Sequence, residues 1–318
     1  MNGLPVDYPQ KNPTVWTKGA TMSDISLLYN ALSEHGIPNP DTIASNTGFI
    51  RWGKNNRYWA IELNDSGYAF GDWTIPKDYH CVFDGKSANV SWPERRAIME
   101  KLQEQHKKER QLVQECQQKL SELATKLCVG HSDTPVEHPY LTKKQISCPA
   151  DVTYDHRLNA LLIPMYDVHG KIWSVQTIFS DGTKRFMAGA RKKGCLYPFG
   201  DISSANKILV CEGFATGASI FEATGIPTFT AFDAGNLSYV VHDTIATYPN
   251  KEIIIAADND WESQRNTGYE TAKKVAMDYH IRAIVPQNLK TGMSDWNDLF
   301  CHYGPNEIIN QFKKGDVL

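Results

Sequence analysis

No apolar run in the sequence approaches the roughly 18 residues that span a bilayer. The opening MNGLPVDYPQ lacks the basic segment and apolar stretch of a signal peptide. On these two absences neither a helical membrane span nor a classical leader is expected, and a cytoplasmic location is. There is no CxxC pair: the seven cysteines are scattered at 81, 116, 128, 148, 195, 211 and 301. This spacing argues against a zinc ribbon and against a disulfide framework, so the thiols are expected to be reduced. Neither GxxxxGKS nor GxxxxGKT occurs, which excludes a P-loop motor. Excess charge is also missing. With a net charge of -3 and a pI near 6.4, any contact with nucleic acid must use local basic patches instead of a global positive field.

What is present is an ordinary globular composition, 41% hydrophobic and 22% charged over 318 residues, enough for two or three compact units. The first twenty residues, broken by Pro5, Pro9 and Pro13, read as an extended lead-in. Ser23 to His35 carries apolar positions at helical spacing. RYWAIEL and YAFGDW, joined by Asn64-Asp65-Ser66-Gly67, predict a hairpin. From Pro93 to about Leu127 there is no Gly or further Pro, and Gln103 to Gln111 holds no apolar residue. The spacing predicts one long, largely solvated helix bridging two units, with a boundary near 130.

ALLIPMYDVHGKIWSVQTI then reads as strand, turn and strand, and SDGTKRF as a further turn. After residue 205 the pattern changes. KILVCE, IPTFTAF, EIIIAAD and IRAIVP read as strands separated by helix-length segments, which implies a parallel, doubly wound sheet. The expected organisation is therefore α/β. An N-terminal α+β region (1–93) and the bridging helix (94–130) come first, followed by a mainly antiparallel, basic α+β subdomain (131–205) and the doubly wound unit with C-terminal helices (206–318).

In such a sheet ligands gather at the carboxyl ends of the strands. Glu212 ends KILVCE, and Gly213 after it allows close approach to the backbone; Asp258 and Asp260 end EIIIAADND. Residues two apart in an extended segment face the same way, so the two aspartates can converge on one ion. Carboxylate oxygens suit Mg²⁺ or Mn²⁺. The plainer alternative is that acids after strands cap the next helix. Asp295 and Asp298 in SDWNDL face the same choice, between metal work and capping a final helix. Lys184, Arg185, Arg191, Lys192 and Lys193 form a basic run with no acid between 184 and 193, suited to triphosphates and template phosphates or simply to solvent. In the N-terminal hairpin Trp52, Tyr58, Trp59, Tyr68, Phe70 and Trp73 interleave with Arg51, Lys54 and Arg57. They offer either a single-strand stacking platform or an aromatic core.

Glu212-Gly213 followed by Asp258-x-Asp260 resembles the Toprim domain of primases, topoisomerases and some nucleases. HPYLTKKQI, LLIPMYDVHGKIWSVQTI, DGTKRF, CEGFATGASIFEATG, FDAGNL and AADND narrow the resemblance to Toprim primases of conjugative plasmids and phages, relatives of bacterial DnaG-type primases. The likeness runs from about His138 to Pro286, and more weakly to GYAFGDW. It implies that Glu212 is the catalytic acid/base and that Asp258 and Asp260 are catalytic metal holders; Glu212 and Asp298 stay candidate ligands on the reading of the residues alone. It places Lys184 and Arg185 at a nucleotide- or template-binding position, continued by Arg191, Lys192 and Lys193. The implied activity is RNA primer synthesis on single-stranded DNA from ribonucleoside triphosphates, using Mg²⁺ or Mn²⁺. The zinc module of many primases has no counterpart in the ligand spacing, and unwinding would fall to a separate replicative helicase. A metal-dependent nuclease and a non-catalytic single-strand-binding adaptor are the alternatives.

Overall fold

The computed structural model describes residues 25–40, 49–63, 67–75, 80–83, 86–87, 92–129, 137–263 and 266–314. The proline-broken lead-in, the Asn64–Ser66 turn and the boundary expected near 130 lie outside them. The chain divides into two compact units, Met1–Leu112 and Val113–Leu318.

In the first unit, α1 (Ile25–Glu34) accompanies an antiparallel meander of β1 (Phe49–Trp52), β2 (Tyr58–Leu63), β3 (Gly67–Asp72), β4 (His80–Phe83) and β5 (Lys86–Ser87). Leu28 and Leu32, one helical turn apart, pack with Trp52, Ala60, Tyr68 and Phe70. β3 is buried along its whole length, so it does not show the in/out alternation of a one-sided strand. Most of the hairpin aromatics are thus core: Trp52, Trp59, Tyr68 and Phe70 are buried, Tyr58 is half-buried, and Trp73 is 43% exposed. Gly53, at φ 78°, opens the β1–β2 turn where a Cβ would meet the Tyr58 ring at 2.8 Å.

α2 (Trp92–Cys128) is the long helix expected from the sequence. Its stretch from 110 to 116 is exposed. Its last turns belong to the second unit, where Ala124 and Cys128 pack on Leu162, Ile172 and Val175, and Ser121 donates to the Ile172 carbonyl.

The second unit continues with α3 (Pro139–Lys144) and an antiparallel sheet of β6 (Thr153–Asp155), β7 (Ala160–Tyr166), β8 (Ile172–Phe179) and β9 (Lys184–Phe186). The β7–β8 turn is held by the Asp167 carboxylate, which accepts from the His169 and Lys171 amides. Then follow β10 (Tyr197–Phe199), β11 (Lys207–Cys211), α4 (Phe214–Thr224), β12 (Thr228–Thr230), α5 (Ala234–Thr247), β13 (Glu252–Ala256), α6 (Thr267–Tyr279), β14 (Arg282–Ile284), α7 (Trp296–Tyr303) and α8 (Pro305–Lys314). They build a sheet in the order β10-β12-β11-β13-β14, parallel except for β10.

Alternation along the parallel strands assigns the layers. Ile208, Val210, Ile253 and Ile255 face α5 and α6, whereas Leu209, Cys211, Ile254 and Ala256 face Ile220, Trp296, Leu299 and Ile308. The chain leaves β11 toward β12 on one side and returns to β13 on the other, which makes the carboxyl end of β11 the topological switch point.

β10 precedes the boundary expected near 205, yet it pairs with β12 beyond it. The antiparallel sheet and α4 also share one core, in which Leu161, Ile163 and Ile178 meet Phe214, Ala215 and Ala218. The first two turns of α4, residues 214–220, are therefore buried throughout, and Gly217 is what lets them seat. A methyl there would overlap the Thr230 hydroxyl and come within 2.9 Å of the Phe199 ring. Gly217→Ala is expected to destabilise the second unit by about 1–3 kcal/mol through overpacking, read in a urea melt.

Candidate active site at the ends of the parallel strands

Glu212 and Asp258 follow the adjacent strands β11 and β13, whose register aligns Cys211 with Ala256. Gly268, in the first turn of α6, lies against both: a Cβ there would stand 3.4 Å from Glu212 Oε2 and 3.5 Å from Asp258 Cβ. The Asp258–Asp260 loop is pinned from two sides. The Asn259 amide donates to the Ser294 carbonyl at 2.7 Å, and the Asp260 amide donates to Asn266 Oδ1 at 3.0 Å. Asn266 also donates to Asn259 Oδ1 at 2.8 Å. Behind the loop Trp296, fully buried, donates from Nε1 to the Ala257 carbonyl at 3.0 Å.

None of the three acids caps a helix. Gly213 is the N-cap of α4, with no side-chain cap, while Asp233 caps α5 and Asn266 caps α6. With the capping role filled by other residues, the acids are free for different work. Asp295 does cap α7, accepting from the Asp298 amide at 2.7 Å. Asp298 accepts from the Ser294 amide at 2.9 Å and lies 3.7 Å from Lys144 Nζ.

The electrostatics tie these groups into one site. Burial pushes the Asp258 carboxyl well above the usual range, and Asp295, Glu212 and Asp260 push it further; Lys184 opposes them. Burial also raises Glu212, against an amide hydrogen bond from Ala234 at the start of α5; Asp233 and Asp260 add to the rise. Asp295 is raised by burial and held down by Lys144. Lys184 is lowered by burial and by Lys144, while Asp295, Asp258 and Glu212 favour its charge. By surface area Lys184 is exposed, although its ammonium is desolvated.

Of the other basic residues, Lys192 reaches toward the acids, with Nζ 2.5 Å from Asp233 Oδ2. Arg191, Lys193 and Arg185 lie over the rings of Trp173, Tyr239 and Phe179.

Among the described residues no group of three His, Cys, Asp or Glu side chains is arranged to hold a metal ion. One atom nevertheless fits a cation: Asp258 Oδ1 is sealed from solvent without a hydrogen-bond partner. A buried, unpaired carboxylate oxygen among further acids calls for a proton or a cation. The all-oxygen donor set suits Mg²⁺ or Mn²⁺.

Sequence reasoning missed Asn266, Gly268, Lys144 and Trp296. The Trp in SDWNDL was the available signal, since an indole beside an N-cap in a polar segment needs both a core and a hydrogen-bond acceptor. Trp296→Phe is expected to cost about 1–3 kcal/mol by leaving the Ala257 carbonyl unsatisfied, measured by chemical denaturation.

Two curated relatives, both DNA primase TraC of Escherichia coli, are 38% identical over 161 and 155 residues, 48% and 46% of this chain. The matched stretches amount to only 11% and 15% of those relatives' lengths. The solved structure of the DnaG catalytic core overlaps 62% of this chain and 80% of its own, at 15% identity and a TM-score of 0.46. The segment that carries Glu212, Asp258 and Asp260, residues 207–306, matches the Toprim family and is a Toprim domain.

Proposed function

We propose that this chain synthesises RNA primers on single-stranded DNA from ribonucleoside triphosphates, as a DNA primase. The observation that carries the reading is the coupling of one desolvated ammonium, Lys184, to Glu212, Asp258 and Asp295 around the unpaired Asp258 Oδ1. Acids coupled to a desolvated cation suit a metal-bound triphosphate. The TraC relatives, DNA primases by name, support the assignment.

Asp258 and Asp260 would hold Mg²⁺ or Mn²⁺, with Glu212 and Asp298 as further carboxylates. When bound, the ion supplies charge stabilisation at the transferring phosphoryl group and makes the attacking hydroxyl more acidic. Glu212, whose raised affinity for protons brings it closer to neutral pH, accepts the proton of the attacking 3′-hydroxyl. Lys184 neutralises the triphosphate and favours the departure of pyrophosphate. Lys192 exchanges its Asp233 partner for template phosphate, and Arg185, Arg191 and Lys193 extend that track. Positioning and electrostatics do most of the work in such a transfer. Unwinding falls to a separate replicative helicase, and the reaction takes place in the cytoplasm. Among the described residues no helix is long and apolar enough to cross a membrane, and the cysteines described are free.

The test is incubation of the purified chain with single-stranded DNA of varied sequence, labelled ribonucleotides and Mg²⁺ or Mn²⁺. Short template-dependent RNA is expected. Cleavage of the DNA without nucleotides would assign a nuclease instead. Binding without either product would assign an adaptor.

A further inference from the structure

We propose that the concavity at the β1–β2 hairpin of the first unit binds an unpaired nucleotide of a single-stranded nucleic acid. The inference does not rest on the catalytic reading, because the site lies in the other compact unit and its readout is binding.

The concavity has a volume of about 740 Å³ and is lined by Arg51, Lys54, Asn55, Asn56, Arg57, Trp73 and Thr74. That is within the range of about 300–1,000 Å³ typical of small-molecule-sized sites. Among the described residues no Asp or Glu is part of the lining. Asp72, next to Trp73 in the chain, is buried and already engaged by the Arg57 guanidinium at 2.6 Å and by the Thr74 amide and hydroxyl at 2.8 and 2.6 Å. The Arg57 hydrogen bond holds its carboxyl down to about 2, so it stays paired across the working pH range. With Arg57 so occupied, Lys54 at the turn carries the charge most open to a ligand, and Arg51 stands beside it.

Trp73 is the one hairpin tryptophan that the core leaves open. Its indole is backed by buried Trp59, with centroids 5.3 Å apart, and the Arg51 guanidinium lies 5.5 Å from its ring. A part-exposed indole held by a second indole and a guanidinium offers a base a stacking surface at little ordering cost.

The hairpin itself is shaped for contact. Asn55 and Asn56 adopt left-handed backbone angles, with φ of 59° and 55°, and both are exposed. Their amides supply donors and acceptors for the edge of an unpaired base. The cations stand before, within and after the turn, an arrangement that follows a strand backbone better than it clasps one triphosphate. A paired base in a duplex cannot reach the indole, which selects for single strands.

The test uses the full chain and a labelled oligothymidylate of about 12 nucleotides, within the site sizes of such platforms. Substitution with 5-iododeoxyuridine allows photo-cross-linking, and peptide mass spectrometry locates the adduct. A cross-link at Trp73 is expected, together with roughly tenfold weaker binding in Trp73→Ala and most affinity retained in Trp73→Phe. Lys54→Ala should reduce the slope of log affinity against log salt by about 0.7, an effect that a purely structural residue would not have. Should Trp73→Ala fail to fold, as judged by circular dichroism, the exposed Lys54→Glu decides. Cross-links confined to the second unit, with affinity and salt slope unchanged in the variants, would overturn the proposal. So would equal cross-linking of a duplex, or loss of the Trp73 adduct on adding equimolar free ATP.

Discussion

Asp258→Asn will abolish primer synthesis and at the same time raise the melting temperature of the metal-free protein. Both effects have one cause. The Asp258 carboxylate is desolvated, its Oδ1 has no partner, and Asp295, Glu212 and Asp260 surround it, so its proton affinity in the fold is well above that of the unfolded chain. In linkage terms the native state holds more protons than the unfolded state between the two titration ranges. Stability therefore falls as pH rises from the unfolded carboxylate's range, near about 4, through the raised folded one. At neutral pH and above the ionised group destabilises the metal-free fold, and an amide of the same shape removes the charge.

The measurement is a pair of thermal melts in chelator, at acidic and at alkaline pH, beside the synthesis assay. The variant should melt higher than the wild type at alkaline pH, and the gap should close as the solution becomes acidic. Adding Mg²⁺ or Mn²⁺ should raise the wild-type midpoint and leave the variant nearly unmoved. A variant that keeps its activity, or a wild type indifferent to the ion, would remove Asp258 from the metal site.

Lys184→Ala is expected to lower the rate of nucleotide incorporation about 100- to 1,000-fold, the usual range for loss of one charge-stabilising group. Lys184→Arg should recover part of it. The pH profile distinguishes this role from a structural one. Burial and the neighbouring Lys144 lower the Lys184 pKa, so the ammonium gives up its proton at lower pH than a free lysine. Wild-type activity should fall on the alkaline side as that charge is lost. A guanidinium at this position keeps its charge throughout, so the Lys184→Arg profile should lack this alkaline limb. Identical alkaline limbs in the two proteins would assign the fall to another group.

Both expectations began from residues legible in the sequence, although the two features were legible to different degrees. Glu212, Asp258 and Asp260 stand at strand ends because apolar runs such as ILVC and IIIA can only be buried strands here, and the acid after each run marks where the chain leaves the core. The alternation that assigns Ile208 and Val210 to one helix layer and Leu209 and Cys211 to the other is a local property of the chain. So is the long helix, since Trp92–Cys128 needs nothing distant to set its period.

The tertiary structure decided what lies beside what. From sequence, Lys184 was one of five cations in a run. Folding desolvates its ammonium and couples it to three acids, and it leaves Arg191 and Lys193 over aromatic rings. In SDWNDL both Asp295 and Asp298 stood between capping and metal work, and Asp298 was the candidate ligand. In the fold Asp295 caps α7 and couples to Asp258, whereas Asp298 turns to the Ser294 amide and Lys144. The six hairpin aromatics offered either a platform or a core, and packing sorted them residue by residue, leaving only Trp73 substantially open. The physical reason is the range of the forces involved. Periodicity and strand ends follow from the geometry of neighbouring residues, whereas desolvation, repulsion between acids and exposure of a ring depend on groups tens to hundreds of residues away, brought together only by the packed fold.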